Sequence, residues 1–310
     1  MGVCIIAVFV CHIYVFATIP SECIKSVFRT ITDFGFTDGF LFLSGFGIFF
    51  SLSKDSNIIS YYKKRIKRLY IPYLLIASPF FILITIYTKG DWIRFFSRLL
   101  TIDFWINGNF YSMWYVSVLI ALYLISPFIY RFIKAKGAIS YLIGFAIIMM
   151  MMIFFEYKRE AQEGLGEYKF VTQMPAYIYG MLAAKMLYEK SSKINLIFVC
   201  LILALPFTFI LVHFRFEMLC YYQTFVRVLN LGLFAILFEL LNNNKSAFVR
   251  IMSWFGQLSL ELYLTHMLIF WSLILFFPSK SSIIILASIL ISILISKPIS
   301  AVIHKITYAK

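Results

Sequence analysis

Apolar runs of membrane-spanning length recur from one end of this chain to the other, and nothing in it constrains the fold more. A helix rises about 1.5 Å per residue and needs about 20 mostly apolar residues to cross the hydrocarbon of a bilayer. In lipid each backbone N–H and C=O must find its partner within the segment, so such runs fold as helices. Windows of that size predict ten spans, at 2–19, 34–53, 69–88, 110–131, 138–155, 170–188, 194–213, 222–241, 258–277 and 282–304. The expected fold is all-α: a polytopic integral membrane protein of about ten transmembrane helices, one domain over 1–310 with no separate soluble unit. The second span is rich in glycine, which suggests a broken or re-entrant helix. The segment 89–109, with Trp92, Phe95, Phe96 and Trp105, reads as an outer loop or interfacial helix.

Composition supports the membrane reading. The chain is 62% hydrophobic and 14% charged, more apolar surface than a soluble core can hide. Its formal net charge of +14 invites a nucleic-acid reading, which the distribution excludes. Lysines and arginines sit at segment ends, with no basic face interleaved with aromatics on a soluble domain. With the N-terminus inside, the inner loops and ends hold most of the 28 basic residues, which orients both termini toward the cytoplasm. The first apolar run lacks a basic leader and a small-residue cleavage site, so a retained helix is expected. Cys4, Cys11, Cys23, Cys200 and Cys220 show no CxxC or Cys/His ligand spacing, so neither a disulfide nor a metal site is expected.

Ionisable groups inside such spans are costly and point to function. His12 lies in the outer half of the first span, and Asp38 enters the second at similar depth. An imidazole titrates near neutrality and can take a proton from a hydroxyl nucleophile. A carboxylate at its level can hold its tautomer, so His12 and Asp38 form the predicted catalytic pair. The bland alternative is an interhelical hydrogen bond. Trp114 and Tyr115 enter the fourth span near the same depth, and Arg227 the eighth, where it requires a carboxylate or substrate as partner. In the ninth span Ser259 and His266 share a helix face while Glu261 does not, so Glu261 reads as a packing or salt-bridge residue near the inner interface. His213 and His304 fall at interfaces, where a solvated ring is expected.

The densest charge lies between the second and third spans. Positions 63–68 hold Lys63, Lys64, Arg65, Lys67 and Arg68 around a single isoleucine, with Pro72 soon after. It reads as a basic cytoplasmic loop. If helical, it would bring Arg65 and Arg68 onto one face, able to grip phosphates in bidentate fashion. Anionic headgroups of the membrane lipids are the plainer partner.

Several pieces in this order resemble the membrane acyltransferase family 3, the O-acyltransferases that modify bacterial surface glycans. They are the first-helix Ala7-Val-Phe-Val-Cys-His12, then Thr37-Asp38-Gly-Phe-Leu-Phe-Leu-Ser44-Gly45-Phe46, then Tyr62 through Tyr73 with its Arg65-Ile-Lys-Arg68 core. Met113-Trp114-Tyr115, Ser126-Pro127 and Gly256-Gln-Leu-Ser259-Leu-Glu261-Leu-Tyr263-Leu-Thr-His266 complete the set. The resemblance covers essentially the whole chain. It implies an acyl-CoA donor, acetyl-CoA by default, bound from the cytoplasm, and an acceptor hydroxyl on a polysaccharide or lipid-linked sugar. It implies His12 as the catalytic histidine, acting as general base or as transient acyl carrier, Arg65 and Arg68 on the CoA phosphates, and no metal. Asp38 and a Ser44-Gly45 turn would shape the site with Trp114, Tyr115, Arg227, Glu261 and His266 around it. Residence in the bacterial inner membrane, beside glycan-assembly proteins, follows from the same likeness. Two positions depart from the pattern: the family's arginine upstream of the first-helix histidine falls on Met1, suggesting a late or truncated start, and its acid before the late proline is Lys297. A transporter or flippase for a glycan or small anion would also carry intramembrane charges, and a non-catalytic sensor is a third class.

Overall fold

The computed structural model describes residues 1–33, 36–108, 113–136, 165–188 and 246–308; they form helices, and no strand occurs among them. The predicted spans at 138–155, 194–213 and 222–241, and Arg227 with the last of these, lie outside the described residues. Among the described residues four helices are long and apolar enough to cross a membrane: Ile58–Tyr87, Trp114–Ala135, Ser259–Phe276 and Pro278–Tyr308.

In chain order, α1 (Gly2–Phe16) and α2 (Glu22–Asp33) precede α3 (Phe36–Lys54). Helix α2 has no counterpart among the predicted spans. Its Ile24, Val27, Phe28 and Ile31 recur at helical spacing between polar residues, the pattern of a helix lying along an interface rather than across it. The broken helix expected at the second span is instead a continuous α3. Its glycines serve close packing. A methyl group at Gly45 would fall on the carbonyl of Tyr177, and one at Gly180 would fall on the carbonyl of Phe42. The two glycines thus let α3 and the helix Leu165–Tyr188 meet backbone to backbone, which in lipid substitutes for the missing hydrophobic drive.

The predicted basic loop is also helical. Helix α4 runs unbroken over Ile58–Tyr87, so the third span begins well before Leu69. Its start is fixed by a compact polar cap: Asn57 accepts the Ser60 N–H at 3.1 Å, and Asp55 accepts from the Asn57 N–H at 3.0 Å and the Ser60 hydroxyl at 2.8 Å. A wider π-helical turn occupies Ile66–Tyr70. Pro72 follows it directly and cannot donate to the carbonyl four residues back, and the widened turn absorbs that defect. The segment 89–109 forms two short helices, α5 (Trp92–Leu99) and α6 (Ile102–Asn107), with Asp91 capping the first. The segment expected as an outer loop or interfacial helix is thus two short helices.

Helix α7 (Trp114–Lys136) and α8 (Leu165–Tyr188) are tied by Ser126, which donates to the Leu122 carbonyl at 2.6 Å and so accepts the Tyr177 hydroxyl at 2.6 Å. A short α9 (Ala247–Gln257), capped by Ser246, leads into α10 (Ser259–Phe276). Helix α11 (Ser281–Tyr308) packs along α10 and carries Ser288, Ser292 and Ser296 on its buried face, each hydroxyl turned back onto the carbonyl one turn earlier. Small self-satisfied serines let the two helices approach without burying an unmet polar group. Helix α1 packs against α10, α11, α3 and α9.

Candidate active site

Helix periodicity builds one wall of a large cavity. Ser44, Gly47, Ser51 and Lys54 recur at three- and four-residue steps along α3 and all line it. A methyl group at Gly47 would meet only open space, as expected of a residue on a cavity wall. The volume is about 1380 Å³, above the roughly 300–1,000 Å³ typical of small-molecule sites. Its described lining is strongly polarised in charge: Lys54, Lys63, Lys64, Arg65, Lys67 and Arg68 stand against one carboxylate, Glu261.

Arg65 and Arg68, predicted as a phosphate grip, both face this cavity. Arg65 is held in place. Its Nη2 donates to the Ser51 hydroxyl at 3.0 Å, and its guanidinium lies 5.4 Å from the ring centre of Tyr61 and 5.6 Å from that of Tyr123. Stacking of this kind fixes the plane of a guanidinium while leaving its edge open. The buried Nε of Arg65 has no hydrogen-bond partner among the described residues. Lys67 lies over the ring of Tyr308 at 5.5 Å, bringing the end of α11 to the same rim. Glu261, expected to be a packing residue, is buried in the first turn of α10 and lines the cavity.

Away from the cations the cavity ends on aromatic rings. Phe40 lies 5.9 Å from Tyr115, and Tyr115 lies 5.1 Å from Tyr263. Tyr263 stands 6.0 Å from the ring of His266, which lies 5.0 Å from that of His12. The described lining therefore runs from Arg65 and Arg68 to Tyr263, and His12 stands behind His266. Trp114 lies one residue outside this row, under the ammonium of Lys169 at 4.5 Å.

The predicted pairing of His12 with Asp38 is not what the structure forms. His12 Nδ1 lies 2.9 Å from His266 Nε2, and His266 Nδ1 lies 2.7 Å from the Leu262 carbonyl. His12 is half-buried, whereas His266 has no exposed surface. Asp38 is buried in the first turn of α3, and it is not the hydrogen-bond partner of His12. Equal depth fixes only one coordinate of a side chain; the rotation of each helix fixes the other. The Ser44-Gly45 turn is likewise corrected: both residues lie within continuous α3, Ser44 on the cavity and Gly45 against α8. Tyr123, Tyr263 and Ser51 join the site without having been predicted. The polar stripe along α3 was the available signal for Ser51. His304 is exposed, as expected. No cluster of three potential metal ligands occurs among the described residues.

A bundle of apolar helices around a cation-rich cavity, with two histidines lying beyond the tyrosine that closes it, defines a membrane protein equipped for group transfer. A family model described as an acyltransferase domain, that of acyltransferase family 3, matches residues 2–300, nearly the whole chain. The chain belongs to that family and is an acyltransferase. No curated protein and no solved structure matches it.

Proposed function

We propose that this acyltransferase moves an acyl group, acetyl by default, from acyl-CoA to a hydroxyl of a surface polysaccharide or lipid-linked sugar. The observation that carries the donor assignment is the cavity itself, with six cations and one carboxylate on its described walls. A polyanionic head on a long flexible arm suits such a shape. Phosphates seat at Arg65 and Arg68, both of which line the cavity. The arm follows Ser44 inward, and the thioester lies near Tyr115 and Tyr263.

The chemistry needs a base and an oxyanion donor. His12 takes the proton of the acceptor hydroxyl as that oxygen attacks the thioester carbonyl. The carbon–sulfur bond then breaks, and the departing thiolate recovers the proton, giving ester and free CoA. The phenols at the inner end are the nearest O–H donors for charge developing on the carbonyl oxygen. The described cavity lining ends at Tyr263, so in this reading the acyl end of the donor passes that ring to reach the acceptor oxygen at His12. That arrangement suits a donor on the cytoplasmic face of the inner membrane and an acceptor supplied by glycan-assembly proteins.

The test uses the full chain in proteoliposomes with labelled acetyl-CoA and surface glycan from the producing cell. Wild type is expected to place label in the glycan and release one CoA thiol per ester. His12→Ala should lower the rate by roughly 10²–10⁴ with insertion intact. Undiminished labelling in that variant overturns the role of His12. Counterflow of intact substrate with no covalent product overturns the enzyme reading in favour of transport.

A further inference from the structure

The two ring nitrogens of a neutral histidine are not equivalent: one donates and the other accepts. A carbonyl oxygen only accepts, so the 2.7 Å contact from His266 Nδ1 to Leu262 requires the proton on Nδ1. His266 is wholly enclosed, with Phe9 at 5.0 Å and Tyr263 at 6.0 Å, and its described contacts include no carboxylate. A second proton would bury an uncompensated charge, so the ring is neutral and its Nε2 carries a lone pair. That lone pair faces His12 Nδ1 at 2.9 Å. The proton of this bond must then belong to His12 Nδ1, which leaves the lone pair of His12 on Nε2. Each assignment forces the next, starting from one backbone carbonyl.

We propose that His266 is a positioning residue that fixes the tautomer of His12. The Leu262 carbonyl pins His266, His266 accepts the Nδ1–H of His12, and His12 Nε2 becomes the proton-accepting atom. This is the task expected of Asp38, performed here without a charge. A neutral acceptor orients the ring and adds no buried carboxylate for the bilayer to penalise. Helix geometry supplies the anchor: Leu262 and His266 are one turn apart on α10, and the carbonyl of Leu262 meets the ring as well as the helix ladder.

The inference rests on the reading of His12 as the base, and it is tested by a measurement that does not need turnover. The full chain, labelled with ¹⁵N-histidine and held in lipid nanodiscs, reports the protonation of each ring nitrogen. Signals of His12 are assigned by their loss in His12→Gln. Wild type is expected to show a protonated Nδ1 and an unprotonated Nε2 at His12. His266→Leu removes the acceptor and should release His12 into a mixture of tautomers. The glutamine of His266→Gln brings a carbonyl oxygen near the place of Nε2 and should restore the single tautomer. In parallel, kcat is expected to fall about 10- to 100-fold in His266→Leu, the usual scale for loss of a supporting partner. His266→Gln should recover most of that loss, with KM for acetyl-CoA unmoved in both. A wild-type His12 carrying its proton on Nε2, or a His266→Leu spectrum identical to wild type, overturns the proposal. If the tautomer is as stated yet His12→Ala still acylates glycan, the proposed function fails while this assignment stands. A leucine variant that does not fold leaves the wild-type spectrum and the glutamine variant to decide.

Discussion

The mouth of the cavity and the histidine pair handle polarity in opposite ways. At the mouth, six cations share one described rim, most of them exposed to water, and Arg65 is held by Ser51, Tyr61 and Tyr123. At the pair, the proposed mechanism rests on two neutral rings and on the direction of two hydrogen bonds. Charge in water acts over distance and is redundant, so it suits capture of an anion. A hydrogen bond shielded from water is directional and has no substitute, so it suits a proton transfer. The two regions should therefore fail differently when altered: the mouth by degrees and in binding, the pair steeply and in rate.

Arg65 gives the largest expected effect on the binding side of this contrast. Loss of a charged hydrogen-bond donor costs about 1.5–3 kcal/mol, so Arg65→Ala should raise KM for acyl-CoA roughly ten- to hundredfold. Arg65→Lys keeps the charge but loses the planar edge and the stack between two tyrosines, and should recover only part of the loss. In both variants kcat is expected to stay near wild type, because the interaction is made equally before and during the reaction. Steady-state kinetics in detergent or nanodiscs measures the split. A fall in kcat with unchanged KM would merge the two regions into one.

Gly45→Ala should blur the contrast by striking both regions through the scaffold. The added methyl group meets the Tyr177 carbonyl, so α3 and α8 must part. Overpacking of this kind costs about 1–3 kcal/mol. Because α3 carries Ser44 and Ser51 on the cavity side, kcat and KM are expected to worsen together with a lowered unfolding temperature. Gly47→Ala, on the same helix but facing open space, is the control and should not lower stability, since alanine favours a helix interior over glycine.

Which parts of this picture could be read from the sequence follows from how local each signal is. The basic cluster at 63–68 is visible as written, because six neighbouring positions carry it; only its helical form and the π turn before Pro72 required coordinates. The acyltransferase family was legible through ordered short motifs that the family model then matched. The histidine pair was half legible. His12 and His266 were both singled out, but depth along a helix ranked Asp38 as the partner, and nothing in the sequence states how α1, α3 and α10 are rotated. Gly45 was misread because a glycine in an apolar run signals a break as readily as a close contact, and only the opposing Gly180 decides between them. Helix α2 was missed since a search for long apolar runs passes over a short amphipathic one.

The smallest predicted effect has the opposite sign to that of Arg65→Ala. Asp55 accepts from the Ser60 hydroxyl and the Asn57 N–H, and its carboxylate meets Lys64 Nζ at 3.0 Å. These bonds, that of Ser60 foremost, hold its carboxyl down to about 2 from an ordinary 3.8. A lowered folded-state value contributes stability above the unfolded value, and that contribution is lost only as pH falls toward about 2. Asp55 is therefore ionised throughout the neutral range and masks one of the mouth's lysines. Asp55→Asn keeps the cap's acceptor oxygen and frees Lys64, adding one unpaired cation to the rim. An exposed pair of this kind has little energetic weight, so KM for acyl-CoA should fall by about twofold at most. The gain should fade as ionic strength rises to physiological values, where screening acts over about 8 Å. Measured at low and physiological salt, kcat should not move at either. A salt-dependent kcat in Asp55→Asn would mean that the field of the mouth reaches the histidines, and the separation of capture from proton transfer would fail.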